Sequence, residues 1–159
     1  MRLTEAGVKI SLSTLVVKST TAPEFIDITD RVNDFVRQSD IRNGMVLVFS
    51  KHTTVAITIQ ENEPLLLGDM ANMLEHLSPQ NGYYRHNDFD VRTVHMHKDE
   101  CPNGHSHCQH LTLGTSETIP IVDGRLPLGE FQRIFAVELD GQKALQVDHR
   151  EVLVQILGV

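Results

Sequence analysis

Several features that secreted and membrane proteins need are scarce or missing in this sequence of 159 residues. It has two cysteines, Cys101 and Cys108, which are too few for a disulfide framework, so we expect two reduced thiols. The first residues lack the basic start and apolar core of a signal peptide. No apolar run approaches the length of a membrane span. These absences predict a cytoplasmic protein that has no membrane partner.

Basic runs are missing as well. The formal net charge is −7 with histidine neutral, and no Lys/Arg run resembles those that neutralise a phosphate backbone. We therefore expect no nucleic-acid partner. The length fits a single domain over residues 1–159, which can bury roughly two thirds of the surface that the unfolded chain exposes. Because such a core needs no structural metal, a bound metal is expected to serve chemistry rather than folding.

The hydrophobic periodicity predicts an α+β protein. Helical spacing covers 24–37 and 65–77, and a short third helix is predicted over 107–113. Strands are predicted from alternating or wholly apolar runs at 8–17, 45–50, 55–60, 118–122, 131–139 and 152–157. This order favours a compact, β-rich, sandwich-like fold that is largely antiparallel and has two or three helices. The stretch 80–103 has no sustained period, which is typical of functional or mobile segments.

Histidines are concentrated in and after this irregular stretch. Six of the nine histidines lie there: His86, His95, His97, His105, His107 and His110. Neutral imidazole is a common ligand for zinc and similar metals, so the clustering predicts that at least two of them share a metal or catalytic site. The spacing does not say which two, because neither HExxH nor zinc-finger spacing is present. The alternative is that each is a surface or structural residue, and a zinc role for the nearby cysteines also stays open.

Two further segments carry polar groups that suit a site. Glu61 directly follows a predicted strand and has no evident structural role, whereas Glu63 before Pro64 suits the first turn of a helix. The turn Gly114-Thr115-Ser116 either offers N–H groups and hydroxyls to a phosphate or only ends a helix. A P-loop enzyme is not supported, because the chain has no Walker A lysine motif.

Several short motifs, spread over nearly the whole chain, match those of a known family in their order and spacing. They are His52-Thr53-Thr54 with Gln60-Glu61-Asn62, Tyr84-x-His86, His107, Leu113-Gly114-Thr115-Ser116, Ile119-Pro120, Asp123-Gly124-Arg125-Leu126, Leu128-Gly129-x-x-Gln132 and Glu138-Leu139-Asp140-Gly141. Together they resemble the YjbQ-like family, whose members are described as secondary thiamine-phosphate synthases. One departure is Phe131, where the family usually has tryptophan. Another is the histidine-rich stretch after Asp88.

The resemblance implies a homotrimer with a histidine-lined site. The family's invariant histidines correspond to His52, His86 and His107, which are expected to hold a divalent metal (zinc, nickel, iron or magnesium) or the substrate anion. Glu61 and His107 are the expected catalytic residues. The expected substrate-binding residues are Thr53, Thr54, Asn62, Ser116 and Gln132. His95, His97, His105 and His110 match no family position and are given no role.

The implied reaction joins a hydroxymethylpyrimidine diphosphate to a thiazole phosphate and releases pyrophosphate. Enzymes acting on diphosphates commonly hold magnesium with carboxylates, whereas three imidazoles suit zinc, nickel or iron better. This mismatch keeps two alternatives open. One is a metal-dependent hydrolase of unknown substrate, and the other is a trimeric protein that binds a metal or ligand without turnover.

Overall fold

Two antiparallel sheets and four α-helices make up the chain in the computed structural model, which describes residues 7–147 and 149–159. In chain order the elements are β1 (Lys9–Val17), β2 (Glu24–Asp27), α1 (Thr29–Gln38), β3 (Gly44–Ser50), β4 (Val55–Glu61), α2 (Pro64–Leu77), a 3-10 helix (Arg85–Asn87), α3 (Gly104–Leu113), β5 (Ser116–Ile121), β6 (Gln132–Glu138), α4 (Gly141–Gln146) and β7 (Arg150–Gly158). None of these helices is long and apolar enough to cross a membrane.

The four-stranded sheet has the order β1-β7-β3-β5 and the three-stranded sheet has the order β2-β6-β4. All pairings are antiparallel, which confirms the predicted α+β class with largely antiparallel strands. The main core cluster combines inward side chains of both sheets with α1. Alternation decides which side chains enter it: Val46 and Val48 of β3 are buried, whereas Met45 and Phe49 point outward.

The outward face of the four-stranded sheet is apolar. Met45 on the central strand β3 lies opposite Leu157 of β7 and Pro120 of β5. Large apolar side chains of β1 and β3 remain exposed on this outer apolar face: Ile10, Leu12, Val16, Met45 and Phe49. A group of exposed apolar side chains on one face is typical of protein contact surfaces.

The predicted helix over 24–37 is wrong in its first third. Glu24–Asp27 forms β2 instead, and pairs with β6 in the register Phe25↔Val137. Helix α1 begins only at Thr29, whose N–H and hydroxyl both donate to Asp27 Oδ1, at 2.9 and 2.7 Å. The segment forms a strand because its backbone groups pair with those at the open edge of β6. Local residue spacing does not reveal this partner.

Two other helices depart from the prediction. Helix α3 starts at Gly104, three residues before the predicted start. Helix α4 lies outside the predicted helices and starts at Gly141, after Asp140, whose side chain accepts the Lys143 N–H at 2.9 Å. An N-capping aspartate and a turn aspartate look alike in sequence. With α4, the described residues contain four α-helices.

Candidate functional site

A cavity of about 390 Å³ lies where the loop between β3 and β4 meets the 3-10 helix, the start of α3 and the first residue of β7. This volume suits a small-molecule ligand. Four histidines line it: His52, His86, His95 and His107. Thr53 and Thr54 line it as well. The structure thus brings together three histidines that are far apart in sequence, together with two of the residues predicted to bind substrate.

His86 and His107 are neighbours because the 3-10 helix packs on the first turn of α3. Asn87 Oδ1 accepts the Gly104 N–H at 3.0 Å, and a Cβ on Gly104 would lie 2.5 Å from Tyr84 Cβ. Only glycine permits this close approach. The two imidazole rings meet edge to face, with centroids 4.7 Å apart and planes at 74°.

A hydrogen bond fixes the state of the His52 ring. His52 Nε2 accepts the Glu151 N–H at 3.0 Å, so the proton of the neutral ring is on Nδ1. His52 is therefore a hydrogen-bond donor through Nδ1. For His107, burial lowers the pKa and the Thr53 backbone raises it by a smaller amount.

Burial keeps these imidazoles neutral. Desolvation is the main cause that lowers the pKa of five histidines below 6.5: His52, His86, His105, His107 and His110. The positive charge of Arg150 lowers the pKa of His52 further, and that of Arg92 does the same for His86. At pH 7 the neutral form of these five low-pKa histidines is favoured, so they serve as acceptors or ligands rather than cations.

The cationic charge of the cavity comes from other side chains. Lys51, Arg92, Lys143 and Arg150 line it together with two carboxylates, Glu100 and Asp140. Arg150 is held by the buried Glu138, with Nε–Oε2 at 2.7 Å and Nη2–Oε1 at 3.0 Å. Because this fork-to-fork pair fixes the guanidinium rigidly, Arg150 is a pre-organised part of the wall.

A second network supports the wall around Asp140. Asp140 Oδ2 accepts the Asn103 side-chain N–H at 2.8 Å and lies 3.8 Å from the Cys101 sulfur. Burial, and then the neighbouring Asp140 charge, raise the pKa of the Cys101 thiol, which keeps it protonated. Asn103 Oδ1 is buried and has no partner among the described residues, so an acceptor remains available there. Both cysteines are free thiols; Cys108 is exposed.

The donor set does not fit the predicted three-histidine metal centre. Within residues 7–147 and 149–159, no group of three His, Cys, Asp or Glu side chains has the geometry to hold one ion. His52 uses Nε2 for the Glu151 N–H, so coordination through Nδ1 would require an imidazolate. Dependence on a divalent metal stays a prediction.

Four predicted site residues lie outside this cavity. Glu61 and Gln132 are cross-strand partners at the far end of β4 and β6, about 20 Å from Val55 at about 3.4 Å per residue. Gln132 Oε1 accepts the Gly129 N–H at 2.8 Å. Asn62 donates to Asp27 Oδ2 at 3.0 Å. Ser116 is exposed on β5 opposite Phe49. A single chain does not bring these four side chains to the histidines.

The four histidines that were given no role lie in different surroundings. His97 is exposed, and His95 lines the cavity. His105 is buried with Nε2 at 3.1 Å from Ser106 Oγ, and neither it nor His110 lines the cavity. Sequence position alone did not separate these cases, because all lie in one stretch.

The charged wall was missed at the level of sequence, because each residue looked like ordinary surface charge. One signal was present: Glu138 continues the face of Ile134 and Ala136 in a strand that is apolar on both sides. A carboxylate on such a strand needs a cation partner. The identity of that partner, Arg150, required the fold.

Comparison with known proteins gives one consistent result. The family model for the UPF0047 protein YjbQ-like family matches residues 13–159. A UPF0047 protein of Methanothermobacter thermautotrophicus is 38% identical over 144 residues, which cover 91% of this chain and 90% of that protein. YugU of Bacillus subtilis is 33% identical over 83% of this chain and 92% of its own length.

The solved structures agree. The crystal structure of a YbjQ-like protein of unknown function from Sulfolobus solfataricus superposes with a TM-score of 0.84 at 31% identity, over 96% of this chain and 100% of that one. A hypothetical protein from Aeropyrum pernix gives a TM-score of 0.75 at 30% identity, over 95% and 99% of the two chains.

Proposed function

Because the chain belongs to the UPF0047 YjbQ-like family, we propose that it binds a phosphorylated small molecule in the histidine-lined cavity and catalyses a transfer of the thiamine-phosphate-synthase type. The observation that carries this proposal is a cavity of about 390 Å³ whose wall combines neutral imidazoles with four cationic side chains. The charge suits a diphosphate, and the neutral acceptors suit an aminopyrimidine.

The proposed reaction needs little covalent chemistry from the protein. The bond between the methylene carbon of the pyrimidine and the diphosphate oxygen breaks, and pyrophosphate leaves with the electron pair. The ring nitrogen of the thiazole phosphate supplies the electrons of the new carbon–nitrogen bond. Negative charge develops on the leaving oxygen, so fixed donors near it lower the barrier.

The two kinds of groups in the cavity match the two halves of such a substrate. In this proposal His52 Nδ1–H, Arg150 and the hydroxyls of Thr53 and Thr54 donate to the diphosphate. The lone pair of His107 accepts a hydrogen bond from the pyrimidine amino group. Because the Glu151 N–H sets the state of His52, and burial favours neutral His107, these roles need no proton transfer before binding.

No step of the proposed reaction runs through a metal ion. Dependence on zinc, nickel, iron or magnesium is tested by measuring bound metal in protein purified without a histidine tag. Activity is then assayed before and after chelation. A stoichiometric metal that is lost in a His86→Ala variant would restore a metal centre to the mechanism.

The central experiment measures thiamine phosphate formed from the two phosphorylated precursors. We expect turnover by the natural chain, loss in His107→Ala, and retention in His76→Ala, a control on the exposed face of α2. Release of phosphate from simple esters without coupling would point to the hydrolase. Binding of pyrophosphate without turnover would point to a binding protein, and either outcome would refute the transferase proposal.

We also propose that the chain assembles as a homotrimer through its outer apolar face. The support is the exposed position of Ile10, Leu12, Val16, Met45 and Phe49 on one side of the four-stranded sheet. Burying such a face removes apolar surface from water at roughly 25 cal/mol per Å². Glu61, Asn62, Ser116 and Gln132 stay predicted site residues, which only a neighbouring chain can bring to the histidines. The cytoplasmic location also stays a prediction.

A further inference from the structure

We infer that Arg92 is the main anion-binding residue of the cavity, and that its Nη1 group takes a phosphate oxygen of the ligand. This inference rests on the proposed function, since it assumes that the ligand is phosphorylated. It adds a residue and a mode of recognition that neither the histidine motifs nor the family match assigns.

The contacts of Arg92 leave one side of its guanidinium unused. Nη2 donates to the His95 carbonyl at 2.8 Å and lies 3.1 Å from Glu100 Oε2. The Arg92 side chain is 16% exposed and that of Glu100 is 19% exposed. Nη1 is buried and has no partner among the described residues. A buried donor without a partner is costly. Because Arg92 lines the cavity, a ligand bound there supplies the missing acceptor once the guanidinium turns toward it.

The other three cations of the cavity differ from Arg92 in this respect. Arg150 makes a two-bond pair with Glu138, and both side chains are buried. Lys51 pairs with Glu151, and Lys143 lies 3.5 Å from Asp99. Within the part of the chain that the structure describes, Arg92 is the one cation of the cavity whose buried nitrogen lacks a hydrogen-bond acceptor.

The backbone around Arg92 is shaped to hold it. His95 has φ of 51°, a left-handed conformation that non-glycine residues rarely adopt. Its carbonyl is the one that accepts from Arg92. Glu100, which also contacts the guanidinium, accepts the His97 N–H at 3.4 Å. Strain of this kind persists where surrounding contacts impose it and often marks a functional site.

Guanidinium chemistry narrows the ligand class. The planar fork of arginine matches the oxygens of a phosphate or diphosphate, and such charge-assisted bonds are stronger than neutral ones. Because Glu100 and the His95 carbonyl hold Nη2, the guanidinium is already anchored beside the cavity when the ligand arrives. We therefore expect Arg92 to select a phosphorylated ligand over its unphosphorylated form.

The test is isothermal titration of the full chain with inorganic pyrophosphate in the presence of a chelator. Arg92→Met is expected to lose about tenfold to a hundredfold in affinity, and Arg92→Lys to lose less because it keeps the charge without the fork. Arg37→Met is the matched control: it removes the same charge from an exposed position on α1 that does not line the cavity. Its affinity should stay within about twofold of the natural chain.

The outcomes separate the two proposals. If the natural chain binds pyrophosphate and both Arg92 variants bind it equally well, this inference is wrong while the proposed function stands. If the natural chain does not bind pyrophosphate at all, the proposed function fails with it. Circular dichroism shows whether each variant is folded. If Arg92→Met is not, a folded Arg92→Lys with unchanged affinity is sufficient to reject the inference.

Discussion

Replacing Glu138 by leucine tests whether the buried Glu138–Arg150 pair organises the cavity wall. The two side chains are 1% and 6% exposed and share two hydrogen bonds. Glu138 also accepts from Ser19 Oγ and from the Asp140 N–H, both at 3.0 Å. The substitution therefore leaves a buried guanidinium without its counter-charge and two further donors without an acceptor.

Breaking a buried pair of this kind lowers the free energy of unfolding by about 3–5 kcal/mol. At a typical slope of about 2 kcal/mol per M, the urea midpoint should fall by about 2 M. The double variant Glu138→Leu/Arg150→Leu removes both charges, so it should recover at least about 2 kcal/mol relative to the single variant. Urea unfolding followed by circular dichroism measures both, at one protein concentration because assembly adds to apparent stability.

The matched control is Arg37→Leu, which removes the exposed ion pair with Asp34 on α1. We expect a change within about 0.5 kcal/mol there, as for other surface pairs. If Glu138→Leu cost no more than this control, or if the double variant were less stable than the single one, the argument for an organising buried pair would be refuted.

Three further predictions concern packing, protonation and assembly. Gly104→Ala should lower the free energy of unfolding by about 1–3 kcal/mol and separate His86 from His107, because its Cβ would meet Tyr84 at 2.5 Å. NMR of the histidine rings reports this separation. The control Gly68→Ala, whose Cβ would have nothing within 4 Å, should be neutral or stabilising. Stability should fall as the pH drops below 6.5. The unfolded state takes up protons there that the five low-pKa histidines resist, which adds a slope of up to about 1.4 kcal/mol per pH unit for each. A flat profile in urea titrations between pH 7 and 5 would contradict this. Met45→Lys should convert a trimer to monomers with little loss of fold, because Met45 is 47% exposed on the outer apolar face. Light scattering measures the mass, and an unchanged mass would reject this interface.

The strands and their faces could be predicted from local pattern. In β3 the buried Val46 and Val48 alternate with outward residues, and this period of two holds wherever a strand has one buried face. Helix α2 could also be predicted from local pattern, because Pro64 starts it and its N-cap Glu63 accepts hydrogen bonds from two backbone N–H groups. Such signals are local, so they do not need the fold.

The sequence by itself determined the class of fold, the family and the three histidines that line one cavity. The tertiary structure decided that 24–27 is a strand, because only β6 supplies its partner. It also decided that Glu138 meets Arg150 and that Arg92 keeps an unpaired nitrogen in the cavity wall. Those features depend on distances between residues far apart in the chain. Burial then sets the free-energy cost of leaving a charge or donor without a partner. Hydrophobic periodicity contains no information about these distances or about this cost.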